Sequence, residues 1–174
     1  MKTATLALLI SSFTANASDL PLNGSFQYRY LGMIPIFNAD LHLPNDYTGP
    51  SFDPDKPVDL VFRYYRSVSK EQLIRQAEIA LNSRRHPGDI ERFSKQLAKL
   101  NSAYRNVNRG DRYRLNYKPT NGMALFLNEE ELVTITRDGF PAFYFSIWLG
   151  EDASPSNMRK SLWADIMQKQ SPTQ

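Results

Sequence analysis

The sequence predicts an α+β domain, a largely antiparallel sheet with helices gathered on one face. Three observations carry this prediction. Apolar and polar residues alternate at the two-residue period of a strand around 22–43, 58–65 and 113–137. Apolar residues recur at three- and four-residue spacing within 69–104 and 140–166, as on one face of a helix. The two patterns come in blocks: strands, two helices, strands, two helices.

The chain opens on MKTATLALLISSFTANASDL, with Lys2, an apolar stretch from Leu6 to Phe13, and Ala15 and Ala17 as small residues before a cleavage point. That pattern predicts a secretory signal peptide over residues 1–17 and a single domain over 18–174, in the periplasm or secreted. The bland reading of the same stretch is a buried N-terminal helix. No later segment has the uninterrupted apolar run of about 18 residues that a membrane span needs. Removing Lys2 takes the formal charge from +3 to +2, so charge balance gives no argument for a nucleic-acid partner. The chain has no cysteine, so no disulfide supports the fold, and the core must hold it alone.

Phe26, Tyr28 and Tyr30 alternate with Gln27 and Arg29 in a first strand, and Phe37, Ala39, Leu41 and Leu43 alternate in a second. Pro35 between them cannot donate to a strand ladder and points to a bulge. The stretch from Pro44 to Pro57 mixes turn formers with few apolar residues and reads as a long surface loop. Val58, Leu60, Phe62 and Tyr64 share one face of a third strand. Ser69 followed by Gln72 is a capping box opening a helix whose Leu73, Ala77, Ala80 and Leu81 share a face. Pro87 suits the start of a second helix with the stripe Ile90, Phe93, Leu97, Leu100 and Tyr104. Three more strands follow: RYRLNYKP with Tyr113, Leu115 and Tyr117 alternating, then GMALFLN, then ELVTITR. Phe140, Phe143, Tyr144, Ile147 and Trp148 make a broad helical stripe ending at Gly150, and Ser154-Pro155 restarts a helix with Met158, Leu162, Trp163 and Ile166. The tail after Lys169 is polar and reads as frayed.

Generic catalytic signals are thin, and no catalytic residue, cofactor or metal site is predicted. There is no glycine-rich phosphate loop and no pair of histidines at helical spacing; the two histidines are His42 and His86. Asp40 and His42 share a strand face, but no third metal ligand accompanies them. Glu129, Glu130 and Glu131 fall where a solvated hairpin turn is expected. The basic residues thicken between Arg84 and Lys118 and read as a solvated helix face and its loop, with an anionic partner surface as the sharper alternative.

Taken in order, LNGSFQYRY, FNADLHLP, VDLVFRYYRSVSKEQL, NRGDRYRLNYKPTNGMALFLN and FYFSIWLGEDASPSNMRKSLW resemble the exported bacterial branch of the chalcone isomerase-like proteins. The resemblance runs from Leu20 to Trp163. Its most specific parts are Leu22-Asn23-Gly24, Gly110-Asp111 before a strand, and Trp148-Leu149-Gly150-Glu151 with the Ser-x-x-Met-Arg-Lys-Ser-Leu that follows. It implies a curved antiparallel sheet with a ligand cleft between sheet and helices. It also implies that a strand arginine near the start of the domain reaches into that cleft. Allowing one extra residue before Leu41 puts Arg29 there; counting forward from Leu22 puts Tyr28 there instead.

Plant isomerases of this fold hold their substrate with a threonine, a tyrosine and an asparagine, whose places fall on Phe37, Leu73 and Ala80. Losing one donor to a developing oxyanion typically costs about 100-fold or more in rate. The replacements therefore argue against chalcone cyclisation. Non-catalytic relatives of the fold bind fatty acids. The resemblance thus implies a cleft lined by Arg29, Phe37, Leu73, Ala80 and Ile147 and filled by a small hydrophobic carboxylate, the guanidinium pairing with the acid. The alternatives are a residual isomerase or lyase and an envelope protein acting by protein contact.

Overall fold

A computed structural model describes residues 18–83, 87–153 and 155–170. Residues 1–17, where a signal peptide is expected, lie outside the described residues, as do Arg84, Arg85, His86, Ser154 and residues 171–174. Six strands form one antiparallel sheet in sequence order: β1 (Leu22–Tyr30), β2 (Ile34–His42), β3 (Val58–Tyr64), β4 (Arg112–Lys118), β5 (Gly122–Leu127) and β6 (Glu130–Ile135). The register lines up Phe26, Ala39, Phe62 and Tyr113 in one row and Gly24, Leu41, Leu60 and Leu115 in the next. These rows form the inner face, and all but Gly24 are buried. The predicted α+β class is the observed one.

Helices α1 (Lys70–Asn82), α2 (Pro87–Arg92), α3 (Ser94–Ala103), α4 (Phe140–Leu149), α5 (Ser156–Leu162) and α6 (Ala164–Gln170) complete the fold. Ser69 caps α1 in the predicted capping box, its side chain accepting from the Gln72 amide while the Gln72 side chain accepts from its own. Helix α4 is buried nearly all round, through Phe140, Pro141, Tyr144, Phe145, Ile147 and Leu149, as expected of a helix apolar on every side. Among the described residues no helix is long and apolar enough to cross a membrane.

Two helices expected to be continuous are each interrupted at a buried aromatic. Phe93 (φ −105°, ψ 13°) separates α2 from α3, and Trp163 (φ −92°, ψ 14°) separates α5 from α6. Four-residue hydrogen bonds persist on both sides of each, Phe93 N–H to Asp89 and Trp163 N–H to Arg159. Each break is therefore a local turn of the helix that seats a large ring, at 2% and 0% exposure, in the core.

The loop between β2 and β3 is irregular, as expected, but it is anchored. Tyr47 is buried against Trp163, and Phe52 stacks on Phe145. The glutamates are not merely solvated: Glu129 occupies the β5–β6 turn at φ 71° and pairs with Arg112 and Arg114, while Glu130 takes both guanidinium nitrogens of Arg105. Lys99 donates to the Thr134 carbonyl, and Arg114 also lies over the Phe126 ring. Much of the basic run is thus engaged with the chain's own groups.

The Leu-Asn-Gly opening has a direct structural use. Asn23 is buried and donates to the Leu162 carbonyl at 2.6 Å, binding β1 to the end of α5. A Cβ on Gly24 would lie 2.2 Å from the Ser161 carbonyl oxygen and 2.5 Å from that of Leu162. Only glycine permits this approach of strand to helix.

Candidate functional site

At the other end of the sheet the inner face carries a run of rings. Tyr28 stacks on Phe37 with centroids 5.2 Å apart; Phe37 meets Phe62 edge-on at 5.6 Å; and Phe62 lies 5.0 Å from Trp148 on α4. Strand alternation puts the first three on one face, and α4 brings Trp148 over them. Tyr28, Phe37 and Trp148 are only partly buried, so this run is open to solvent along one side. Trp148 leads inward to Tyr144 at 5.6 Å.

The inner end of the run is polar. The Tyr144 and Tyr104 hydroxyls share a hydrogen bond of 2.8 Å, joining α4 to the end of α3. Tyr64 and Tyr113 stand beside them, the Tyr113 ring centroid 5.3 Å from that of Tyr104 and 6.3 Å from that of Tyr64. Tyr113 is committed to the backbone, accepting from the Arg105 amide and donating to its carbonyl. Burial pushes the hydroxyls of Tyr64, Tyr104 and Tyr144 well above the ordinary tyrosine value of 10.0, so they stay protonated through the neutral range. Two hydroxyls sharing one hydrogen bond leave one hydrogen to donate elsewhere. The cluster can therefore offer hydrogen bonds to an oxygen-rich group, but it cannot act as a base at neutral pH.

The residues picked from the sequence divide in two. Phe37 lies in the ring run. Leu73 and Ala80 are half-buried on the face of α1 that also carries buried Ala77 and Leu81, and α1 packs on α4, where Ile147 is buried. Arg29 is exposed. The bulge expected near Pro35 is present: Tyr28 pairs with Phe37 and Arg29 with Pro35, leaving Ile36 as the extra residue of β2. That extra residue is in β2, and from Gly24 onward β1 keeps its alternation; Tyr28 faces inward and Arg29 does not share its face.

The tyrosines were legible only as parts of apolar stripes, Tyr104 after α3 and Tyr144 on α4. The available signal was tyrosine, in place of phenylalanine or leucine, at positions whose buried hydroxyls need partners.

Two surface cavities lie among the described residues, and neither is lined by Arg29, Phe37, Leu73, Ala80 or Ile147. One, of about 490 Å³, lies between α3 and the end of β6 beside Lys95, Lys99 and Arg137; the other, of about 400 Å³, is lined by Pro35, Tyr65, Arg66, Ser67 and Arg109. No group of three or more histidine, aspartate or glutamate residues is placed to hold a metal ion among the described residues. Asp40 is engaged by Ser25 and Asn38, and the His42 Nδ1 is 2.9 Å from the Leu20 carbonyl oxygen.

A search of curated protein sequences finds no match. Among solved structures, the crystal structure of an Arabidopsis thaliana fatty-acid binding protein is similar, with a TM-score of 0.63 at 11% identity over 90% of this chain and 91% of that one. At that identity the likeness speaks for the fold. The family model for chalcone isomerase-like proteins matches residues 6–163, and the chain belongs to that family.

Proposed function

We propose that the protein is an exported, bacterial-type member of the family that binds a small hydrophobic acid, such as a fatty acid, without transforming it. The observation that carries this reading is the gradient from half-open rings at Tyr28, Phe37 and Trp148 to the protonated hydroxyls of Tyr144 and Tyr104. An acyl chain fits the first and a carboxyl group the second, with Leu73, Ala80 and Ile147 as apolar walls. Phe37, Leu73 and Ala80 supply no polar side-chain group, which supports binding over cyclisation. The solved neighbour is itself described as a fatty-acid binding protein. Export is supported by the composition of residues 1–17.

The test is native mass spectrometry of the protein purified from its own host, followed by displacement of a fluorescent fatty-acid probe. An acid should travel with the protein. Tyr144→Phe should weaken the probe by about 2- to 12-fold, the worth of a hydrogen bond between uncharged groups. Arg29→Ala should bind as the parent does. Hydroxyl donors without a cation favour the protonated acid, so affinity should rise as pH falls; an arginine anchor gives the opposite trend. Absence of both the acid and probe binding would overturn the reading in favour of protein contact, and stereoselective flavanone formation would overturn it in favour of an isomerase.

A further inference from the structure

Seven large hydrophobic residues are exposed among the described residues, and five of them gather at one end of the sheet. Tyr30, Leu31, Met33 and Ile34 form the β1–β2 turn at 55%, 72%, 71% and 38% exposure, and Tyr65 at 37% stands next to it, its amide bound to the Ile36 carbonyl. Leu31 and Gly32 both have positive φ, 50° and 73°. For glycine that is easy; for leucine it is an unfavourable conformation, adopted here by a side chain that is 72% exposed. Leu31 and Met33 are the most exposed of the seven.

A basic collar surrounds this tip. Arg29 precedes it, and Arg66 and Arg109 line the cleft of about 400 Å³ with Pro35, Tyr65 and Ser67. All three arginines are exposed, and none makes a side-chain hydrogen bond or ion pair among the described residues. The nearest acid in the 108–111 turn, Asp111, is occupied by the Asn108 amide and the Asn128 side chain. The contrast with Arg105, Arg112 and Arg114, each held by a carboxylate, is plain.

We infer that the Tyr30–Ile34 turn is a membrane-docking tip, which inserts its apolar side chains into an anionic phospholipid surface while Arg29, Arg66 and Arg109 meet the phosphate groups. An apolar protrusion ringed by unpaired cations matches the layered chemistry of such a surface, hydrocarbon beneath and negative charge above. The inference does not depend on the bound acid. A protein that binds no acid can still dock, and one that binds an acid in solution need not.

The experiment is co-sedimentation of the purified protein with phosphatidylcholine vesicles, with and without phosphatidylglycerol. Binding should appear with the anionic vesicles and weaken at high salt. The double variant Leu31→Ser, Met33→Ser should lose at least about tenfold in vesicle affinity, because binding scales with the apolar area inserted. Arg66→Glu with Arg109→Glu should lose more than about 25-fold, each arginine near the surface being worth roughly fivefold. Ile79→Ser, an exposed apolar residue on α1 far from the tip in sequence, should bind as the parent does. In Met33→Trp, fluorescence should shift to the blue on adding anionic vesicles. Equal binding of the double serine variant and the parent would overturn the inference. So would self-association that the same substitutions abolish in a protein that ignores vesicles, since the tip would then serve a second copy of the chain.

Discussion

The first residues of β1 are fastened to a helix, and the last ones reach into solvent. At Asn23 and Gly24 the strand touches the backbone of α5 so closely that a methyl group does not fit. Behind that contact Trp163 is fully buried, donating from its ring nitrogen to the Leu149 carbonyl at 3.2 Å and packing on Tyr47. Seven residues further on, Leu31 is 72% exposed. A single strand thus separates two kinds of apolar residue. Those at the fastened end lower the free energy of the fold by leaving water. Those at the free end remain in water and contribute no burial to the fold.

The fastened end is where substitution should cost most. Trp163→Ala removes a fully buried indole and should destabilise the protein by roughly 3–5 kcal/mol. Gly24→Ala forces β1 away from α5 and should cost about 1–3 kcal/mol or more, although it adds one methyl group. Urea denaturation followed by circular dichroism measures both. If Gly24→Ala unfolds at the parent's midpoint, the contact between β1 and α5 is looser than its geometry indicates, and the contrast between the two ends collapses.

Alkaline pH probes the interior beneath the free end. Tyr64, Tyr104 and Tyr144 have raised folded-state values, with burial as the first cause in each. Above the ordinary value of 10.0 the unfolded chain releases these protons and the folded chain keeps them, so the unfolded state is favoured as pH rises. Stability should be full below that value and fall above it by about 1.4 kcal/mol per pH unit for each such tyrosine. Melting temperatures across the alkaline range check this, and Tyr144→Phe should flatten the decline. An unchanged slope in that variant would show that the hydroxyl pair is not held away from water.

Much of this arrangement was readable from local pattern. The Ser69 capping box, the strand alternation and the end of α4 at Gly150 are determined by residues within a few positions of one another. The interruptions at Phe93 and Trp163 were not readable, because the stripe Ile90, Phe93, Leu97 continues through the break and only the depth of the core decides where a ring must turn. The Tyr104–Tyr144 hydrogen bond joins residues 40 apart in sequence, and no local pattern announces it. Arg29 is the instructive case. The alternation of Phe26, Tyr28 and Tyr30 with Gln27 and Arg29 already set it on the other face, whereas a placement allowing one extra residue aimed it inward. The extra residue exists, but it is Ile36 in β2, and a bulge in one strand does not turn the side chains of its neighbour.

The smallest effect expected in the comparison is the stability change in Arg29→Ala. Arg29 is exposed and has no side-chain partner among the described residues, so its removal should shift the unfolding free energy by no more than about 0.5 kcal/mol. Asn23→Ala, six residues earlier in the same strand, leaves the Leu162 carbonyl without its partner and should cost about 1–3 kcal/mol. The ratio between these two numbers expresses the difference between the ends more directly than either alone. Arg29 also separates the two uses of a cation on this strand. If it meets phosphate as part of a collar, Arg29→Lys keeps the charge and should dock on anionic vesicles nearly as well as the parent, while Arg29→Ala loses roughly fivefold. If it grips a carboxylate through its planar fork, lysine should fail in fatty-acid binding almost as badly as alanine. Vesicle and probe titrations on the same three proteins distinguish the cases. A loss confined to the probe would move the acid's head group from the tyrosines to the strand edge.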